Sequence, residues 1–235
     1  DFAAYHLGGV AGRVEQRNAR VERRARSTVI HLDDDDFTVT VEADPRRWLF
    51  PDFDRAFELL RGATGARRER YLLFGHSAGG QILHRAALFR PELRTRRIVA
   101  ANAGFYTFPD LARPFPLGLA GTGLGEDDLR RALEVDLTLL LGELDNDDDA
   151  GGTLLHTPAV DRQGVGRLDR GRTFHRAGRQ EAERLGARFG WRLRTVPDVG
   201  HDHRRMAQAA AAMLFPEVAE RRRGATGGQA GSGRG

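Results

Sequence analysis

The chain has 235 residues and a mass of 26.0 kDa, a length typical of one α/β domain with its own buried core. Hydrophobic residues make up 40% and charged residues 30% of it, which excludes a disordered or fibrous protein. No apolar run approaches the ~18–20 residues of a membrane-spanning helix. Cysteine is absent and all 37 basic residues are arginine. This composition excludes disulfides, thiolate metal sites, cysteine nucleophiles and P-loop or Schiff-base lysines.

The charge balance argues against a nucleic-acid partner. The isoelectric point is near 10.4, but the formal net charge is only +4. A small excess of arginine raises the isoelectric point steeply because guanidinium groups stay protonated at high pH. Acidic and basic residues alternate along most of the chain, with no basic stripe interleaved with aromatic residues. The sequence therefore predicts a solvated, arginine-rich surface rather than a nucleic-acid interface.

The first quarter of the chain carries weak structural signals. Residues 1–26 are mostly polar, and the charged stretch 13–26 predicts a surface helix. Two runs rich in β-branched residues, 27–32 and 37–43, predict short strands on either side of an acidic turn. Residues 52–61 place apolar side chains at helical spacing and predict an amphipathic helix.

Strands and helices then alternate. The apolar run 71–74 predicts a strand and 81–89 predicts the helix after it. A buried strand is predicted at 98–101, a helix with an acidic first turn at 126–133, and the most apolar strand at 135–141. This order is typical of a parallel sheet, in which helices cross from one strand to the next.

The last third continues the alternation. Thr173 can cap a helix that extends to Phe189, with small and apolar residues along one side. A strand is predicted at 191–196 and an alanine-rich helix at 206–214. The tail 221–235 is rich in arginine and glycine and is expected to be disordered.

These patterns predict a mostly parallel α/β sheet with helices on both faces. Residues 27–220 are expected to form this domain, after a polar segment at 1–26 and before the tail at 221–235.

One motif carries nucleophile chemistry. The sequence Gly75-His76-Ser77-Ala78-Gly79 is a G-x-S-x-G between a predicted strand and a predicted helix. In that context the serine lies on a tight turn that exposes its hydroxyl group, and only small neighbours let the helix pack so closely. Ser77 is therefore predicted to be a nucleophile, and the alternative is an ordinary tight turn.

A serine nucleophile needs a base and an acid that orients the base, each in a loop that follows a strand. The strand at 135–141 leads to Asp145, with Asp147 and Glu143 as alternatives. The strand at 191–196 leads to His201, with His203 as the alternative. The order Ser, Asp, His along the chain is the one expected for this architecture.

Two further motifs fail on their spacing. Three aspartates after the strand at 135–141 mimic the start of a calcium loop, but Ala150 replaces its glycine and His156 its closing glutamate. The glycine-rich stretch 121–125 follows no strand and lacks the G-x-G-x-x-G spacing. No metal or cofactor is expected.

With these motifs the sequence resembles the α/β-hydrolase superfamily, and within it bacterial esterases of the polyhydroxybutyrate-depolymerase lineage. The stretches that carry the resemblance are YLLFGHSAGG at 71–80, ANAGFYT at 101–107, LLLGELD at 139–145, QGVGRLDRGRTF at 163–174 and VPDVGHD at 196–202. By the resemblance, Ser77, Asp145 and His201 occupy the triad positions, and the backbone N–H of Ala78 contributes to the oxyanion hole.

The sequence departs from that family at the front. Such hydrolases carry several strands before the serine and an oxyanion loop, often with His-Gly, and residues 1–70 contain no His-Gly pair. We therefore expect a sheet that is incomplete at its amino-terminal edge and an oxyanion hole without its second donor. An unpaired parallel edge also predicts self-association and weak activity.

The function predicted from these features is hydrolysis of small-molecule or polymeric carboxylic esters through a Ser-His-Asp triad and an acyl-enzyme. An amidase or a thioesterase could use the same triad, and a non-catalytic hydrolase-like binding domain is the alternative from another class. His76, Phe105 and Tyr106 are candidates for lining the substrate pocket, since they lie beside the serine or after a strand end.

Overall fold

The computed structural model describes residues 5–217. The strands are β1 (Ala11–Gln16), β2 (Arg20–Arg23), β3 (Ser27–His31), β4 (Phe37–Val41), β5 (Tyr71–His76), β6 (Thr95–Ala101), β7 (Leu137–Gly142), β8 (Gly152–His156) and β9 (Arg192–Val196). The α-helices are α1 (Pro51–Thr64), α2 (Ala78–Phe89), α3 (Glu126–Glu134), α4 (Pro158–Asp161), α5 (Arg167–Leu185) and α6 (His203–Leu214). Short 3₁₀ turns lie at Asp34–Asp36 and Pro45–Arg47.

The central sheet has four parallel strands in the order β5-β6-β7-β9. Because a parallel sheet is covered on both faces, its strands are apolar on both sides. In β6, Ile98 and Ala100 join the larger core, whereas Val99 and Ala101 join a smaller core on the opposite face. All six residues of β7 are buried. The parallel α/β class predicted from the sequence is therefore confirmed.

Helices cover both faces of this sheet. Helices α2, α3 and α5 pack against one another over the larger core, and α6 packs on the other face against β5, β6 and β7. Within the described part of the chain, β5 pairs only with β6 and is an edge of the sheet. None of the described helices is both long enough and apolar enough to cross a membrane.

Two small sheets flank the central one. Strands β1 and β4 form an antiparallel pair, and β2, β3 and β8 form a three-stranded sheet in which β3 and β8 are parallel. The surface helix predicted at 13–26 is therefore wrong, since β1 and β2 occupy that stretch. Pairing of β1 with β4 and of β2 with β3 decides the conformation here, because strand formation depends more on the neighbouring strands than on local preference. The strand β8 was also missed by the sequence patterns.

Helix α5 begins six residues before its predicted cap at Thr173. Arg167 and Arg170 are buried in its first turn. The sequence did not indicate this start, because charged residues are normally expected on the exposed face of a helix. The side chain of Asn146 accepts a hydrogen bond from the backbone N–H of Asp169 at 3.1 Å and so satisfies one first-turn donor from outside the helix. The tail predicted to be disordered lies outside the described residues, and the proposed domain boundaries stay predictions.

Candidate active site

The elbow between β5 and α2 holds Ser77 in a conformation that few residues adopt. Its φ is 58° and its ψ is −115°, and backbone outliers of this kind persist where the surroundings enforce them, often at functional sites. A Cβ placed on Gly75 would lie 2.4 Å from the carbonyl oxygen of Gly79. The first glycine of the motif is therefore required by the close approach of strand and helix, whereas a Cβ on Gly79 would meet nothing within 4 Å.

Three side chains form a continuous hydrogen-bonded chain at this elbow. The hydroxyl oxygen of Ser77 lies 2.9 Å from Nε2 of His201, and Nδ1 of His201 lies 2.7 Å from Oδ2 of Asp145. A carboxylate only accepts hydrogen bonds, so the neutral ring that satisfies both contacts carries its proton on Nδ1. In this tautomer Nε2 is free to accept the hydroxyl proton of Ser77.

The parallel topology brings these residues together from distant parts of the chain. Ser77 follows β5, Asp145 follows β7 and His201 follows β9, so all three lie at the carboxyl ends of parallel strands. Asp145 is 1% exposed and the His201 side chain is 4% exposed. The acid and the base are therefore largely shielded from water, which strengthens the interaction between them.

The alternative residues have other positions. Asp147 is exposed and its carboxylate accepts the backbone N–H of Asp149 at 2.7 Å. Glu143 accepts the hydroxyl of Thr195 at 2.7 Å. His203 is exposed at the start of α6. None of these three side chains contacts Ser77 in the described residues.

Arg167, which the sequence analysis did not select, lies behind the carboxylate. Its Nη1 donates to Oδ1 of Asp145 at 2.9 Å and its Nη2 donates to the carbonyl oxygen of Thr153 at 2.8 Å. Arg167 is 1% exposed. The sequence signal for this residue was weak. Arg167 lies in the resemblance block at 163–174, but nothing in that block indicates a contact with a residue 22 positions away.

Asn102 forms hydrogen bonds with both segments that lead to the acid and the base. Its Oδ1 accepts the backbone N–H of Gly142 at 2.9 Å, and its Nδ2 donates to the carbonyl oxygen of Gly200 at 3.2 Å. The residue is fully buried and has a φ of 46°. Its position after β6 was the available signal, since polar residues at strand ends commonly line sites of this architecture.

His76 packs against the imidazole of His201, with ring centroids 4.4 Å apart. Burial lowers the pKa of His76 to about 4, and the nearby His201 adds to the effect. His76 is therefore neutral at neutral pH and does not compete with His201 for charge. Its predicted place beside the substrate stays a prediction.

Phe105 and Tyr106, the other candidates for lining the substrate pocket, lie in the protein interior. Phe105 is 3% exposed and Tyr106 is 0% exposed, and both belong to the larger core. The Tyr106 ring stacks on Phe174, with centroids 4.7 Å apart. The loop after β6 thus folds inward and its rings pack in the core, and the predicted place of both residues beside the substrate stays a prediction.

The backbone N–H of Ala78 is the first of α2 and lies directly after Ser77. The first four N–H groups of an α-helix have no partner within the helix, and they concentrate positive partial charge at its end. Among the described residues no group of three or more His, Cys, Asp or Glu side chains could hold a metal ion. The aspartates after β7 instead accept hydrogen bonds from the protein. Asp149, for example, accepts the backbone N–H of Arg26 at 2.8 Å.

Two solved structures are similar to this chain over most of its length. The structure of poly(aspartic acid) hydrolase-1 from Sphingomonas sp. KT-1 is similar at 34% identity and a TM-score of 0.75, over 92% of this chain and 72% of that one. LpqC, a poly(3-hydroxybutyrate) depolymerase from Bordetella parapertussis, is similar at 39% identity and a TM-score of 0.67, over 72% of this chain and 57% of that one. No protein-family model and no curated protein sequence matches the chain.

Proposed function

Because the chain belongs to the α/β-hydrolase superfamily, in the lineage similar to polyhydroxybutyrate depolymerases, we propose that it hydrolyses carboxylic esters through an acyl-enzyme on Ser77. One observation carries the proposal. The Ser77 hydroxyl, the His201 ring and the Asp145 carboxylate are linked by hydrogen bonds of 2.9 and 2.7 Å at the carboxyl end of the sheet. Nucleophile, base and orienting acid of serine hydrolases have this geometry on unrelated folds.

In the first half of the reaction, Nε2 of His201 takes the proton of Ser77 as the serine oxygen attacks the ester carbonyl carbon. The carbonyl π electrons move to oxygen and form a tetrahedral oxyanion. As the oxyanion collapses, the C–O bond to the alcohol breaks and His201 donates its proton to the departing oxygen. The acyl group is then bound to Ser77 as an ester.

In the second half, a water molecule replaces the alcohol. His201 removes a proton from the water as its oxygen attacks the acyl carbon, and then returns that proton to the Ser77 oxygen as the acid departs. Asp145 holds the required tautomer and stabilises the transient imidazolium. The Ala78 N–H donates to the oxyanion, and each such donor is worth about 10²–10³ in rate.

The names of the two relatives support a polymeric substrate. Both are named for the hydrolysis of polymers, one a polyester and the other a polyamide of aspartic acid. We extend the proposal to oligomeric or polymeric esters. Hydrolysis of a polymer amide is the second candidate, because the similarity to the poly(aspartic acid) hydrolase extends over 92% of this chain.

A fluorophosphonate probe tests the nucleophile. The folded protein is expected to react in one-to-one ratio, with the label on Ser77 in a peptide map. The Ser77→Ala variant is the control and should remain unlabelled. A folded wild-type protein that resists the probe contradicts the proposal and favours a hydrolase-like binding domain.

Substrate comparison tests the leaving group. Steady-state rates would be measured on a p-nitrophenyl butyrate ester, on 3-hydroxybutyrate oligomers and on oligo-aspartate of similar length. The proposal predicts the larger kcat/KM on the oligoester. A larger value on oligo-aspartate supports the amidase instead, with Ser77 still the nucleophile.

The assignment of the acid is tested by a pair of matched variants. Asp145→Asn is expected to lower kcat by about 10⁴-fold because the ring is then held in the wrong tautomer. Asp147→Asn changes an exposed side chain two residues away and should leave kcat within about twofold of wild type. A reversed ranking of the two variants means that the acid is misassigned.

A further inference from the structure

Both oxygens of the Asp145 carboxylate are engaged by groups that can carry positive charge. Oδ2 lies 2.7 Å from the His201 ring and Oδ1 lies 2.9 Å from the Arg167 guanidinium. The carboxylate and the guanidinium are almost completely buried. Buried charges interact strongly because little water screens them. The candidate acid is therefore shared between His201 and a permanent cation.

The anchoring of Arg167 is different from that of a purely structural arginine nearby. Arg167 has two acceptors, Asp145 and the Thr153 carbonyl, and its buried Nε has no partner in the described residues. Arg170, one helical turn later and 0% exposed, has three acceptors, none of them in the candidate triad: the Gly104 and Gly164 carbonyls and Asp161. Of these two arginines, therefore, only Arg167 contacts the candidate acid.

The Arg167 guanidinium also approaches the imidazole. A point one Cβ bond from Gly152 lies 2.9 Å from Nε2 of His201 and 3.6 Å from Nη2 of Arg167. Glycine has no side chain to fill that point. The two nitrogen groups consequently border the same small space at the start of β8, close enough for the charge of one to affect the protonation of the other.

From these contacts we infer that Arg167 is a positioning residue: its guanidinium holds the Asp145 carboxylate and places a fixed positive charge near the His201 ring, and this charge helps to set the acid limb of the pH–rate profile. A carboxylate paired with arginine stabilises an imidazolium less than an unpaired one, and a nearby cation disfavours a second positive charge. The inference rests on the proposed function. Among the described residues, Asp145 and His76 contact the His201 ring and Arg167 pairs with Asp145. Asp202 and His203 follow His201 in the chain, and the buried phenol of Tyr106 lies near Asp145.

The test replaces the charge of Arg167 while keeping its shape. Citrulline installed at position 167 is neutral and close to arginine in shape, but an oxygen replaces one terminal NH₂ group, so it can donate to only one of the two acceptors. Arg167→Gln is the simpler neutral variant. The kcat/KM for a soluble p-nitrophenyl ester would be measured from pH 5 to 9. We expect the midpoint of the acid limb to rise by about one pH unit or more in both variants.

Two control variants separate charge from packing. Arg167→Lys keeps the positive charge and should retain the wild-type midpoint, with a lower plateau because one ammonium group cannot reach both acceptors. Arg170→Gln removes an equally buried guanidinium from the same helix, one that pairs with Asp161 and does not contact the Asp145 carboxylate. It should lower the melting temperature and leave the midpoint unchanged.

A wild-type midpoint in the citrulline variant overturns the inference, as does an equal shift in the Arg170→Gln variant. If Arg167→Gln does not fold, the citrulline variant decides, since its shape is nearly that of arginine. Fluorophosphonate labelling keeps the two proposals distinct. A labelled protein with an unshifted midpoint refutes only the role of Arg167, whereas an unlabelled wild-type protein refutes the proposed function and this inference with it.

Discussion

Gly152 lies directly against the ring of His201. A Cβ at this position would be 2.7 Å from Cδ2 and 2.9 Å from Nε2, and the backbone has a φ of 71°. Gly152 begins β8, which pairs in parallel with β3. The small three-stranded sheet therefore closes against the candidate base, and it can do so only through a residue without a side chain.

The first prediction follows from that contact. Gly152→Ala is expected to lower kcat/KM at least about 100-fold, because a methyl group would displace the imidazole from Ser77 and an error of 1 Å in placement has that cost. Gly121→Ala is the matched control. Its φ is 81° but nothing lies within 4 Å of the added carbon, so it carries the backbone strain without the clash. Equal loss of activity in both variants would mean that strain alone is responsible.

The second prediction concerns the coupling of Ser77 and His201. Each alanine variant alone should lower kcat by several orders of magnitude, and the double variant should lose little more because the two residues act as one unit. Rates would be measured on the same soluble ester, after the proteins are shown to fold by circular dichroism. Multiplicative losses would show that the two residues act independently and that the triad assignment is wrong.

The third prediction concerns Asn102, whose amide joins the loops of the acid and the base. Asn102→Ala leaves the buried Gly142 N–H and the Gly200 carbonyl without this partner. We expect a loss of about 2–4 kcal/mol in the free energy of unfolding. Denaturant titration measures this loss. A fall in kcat with KM little changed is expected alongside it, since only the relative positions of Asp145 and His201 are disturbed.

The fourth prediction concerns the pH dependence of stability. The pKa of His76 is about 4 in the folded protein, mainly through burial, and near 6.5 when the chain is unfolded. Between these values the unfolded chain binds a proton that the folded chain does not, so stability falls as pH decreases from about 7 towards 4. His76→Gln should reduce the loss between pH 7 and 5 by about 1–2 kcal/mol.

Urea titrations of wild type and His76→Gln at several pH values measure this difference. The remaining acid sensitivity is expected to come in part from His84, which is fully buried and has a pKa well below its ordinary value. Parallel stability curves for the two proteins over pH 7 to 5 would contradict the pKa assigned to His76. Above pH 7 the curves should already be parallel, because neither state then binds the proton.

Local patterns in the sequence were enough to predict the central sheet and the helices around it. Strands β5, β6 and β7 contain apolar runs, β9 lies within the stretch 191–196 that the sequence predicts to be a strand, and α2 and α3 have helical spacing that survives in the structure. Hydrophobic periodicity is a property of neighbouring residues, so it can be read without knowing the fold. The strands β1, β2 and β8 lack such patterns. Strands β1 and β8 pair with β4 and β3, which are not their neighbours in the chain, and β2 pairs with β3.

In the candidate site, too, some residues could be predicted from the sequence and others only from the tertiary structure. Ser77, Asp145 and His201 could be selected from the sequence because a motif marks the serine and each partner follows a predicted strand. Arg167, Asn102 and Gly152 could not, because their importance lies in contacts across 22, 40 and 98 positions and in a space that only a glycine leaves open. Distances of that kind are determined by how the sheets and helices pack, so only the tertiary structure places these residues beside the acid and the base.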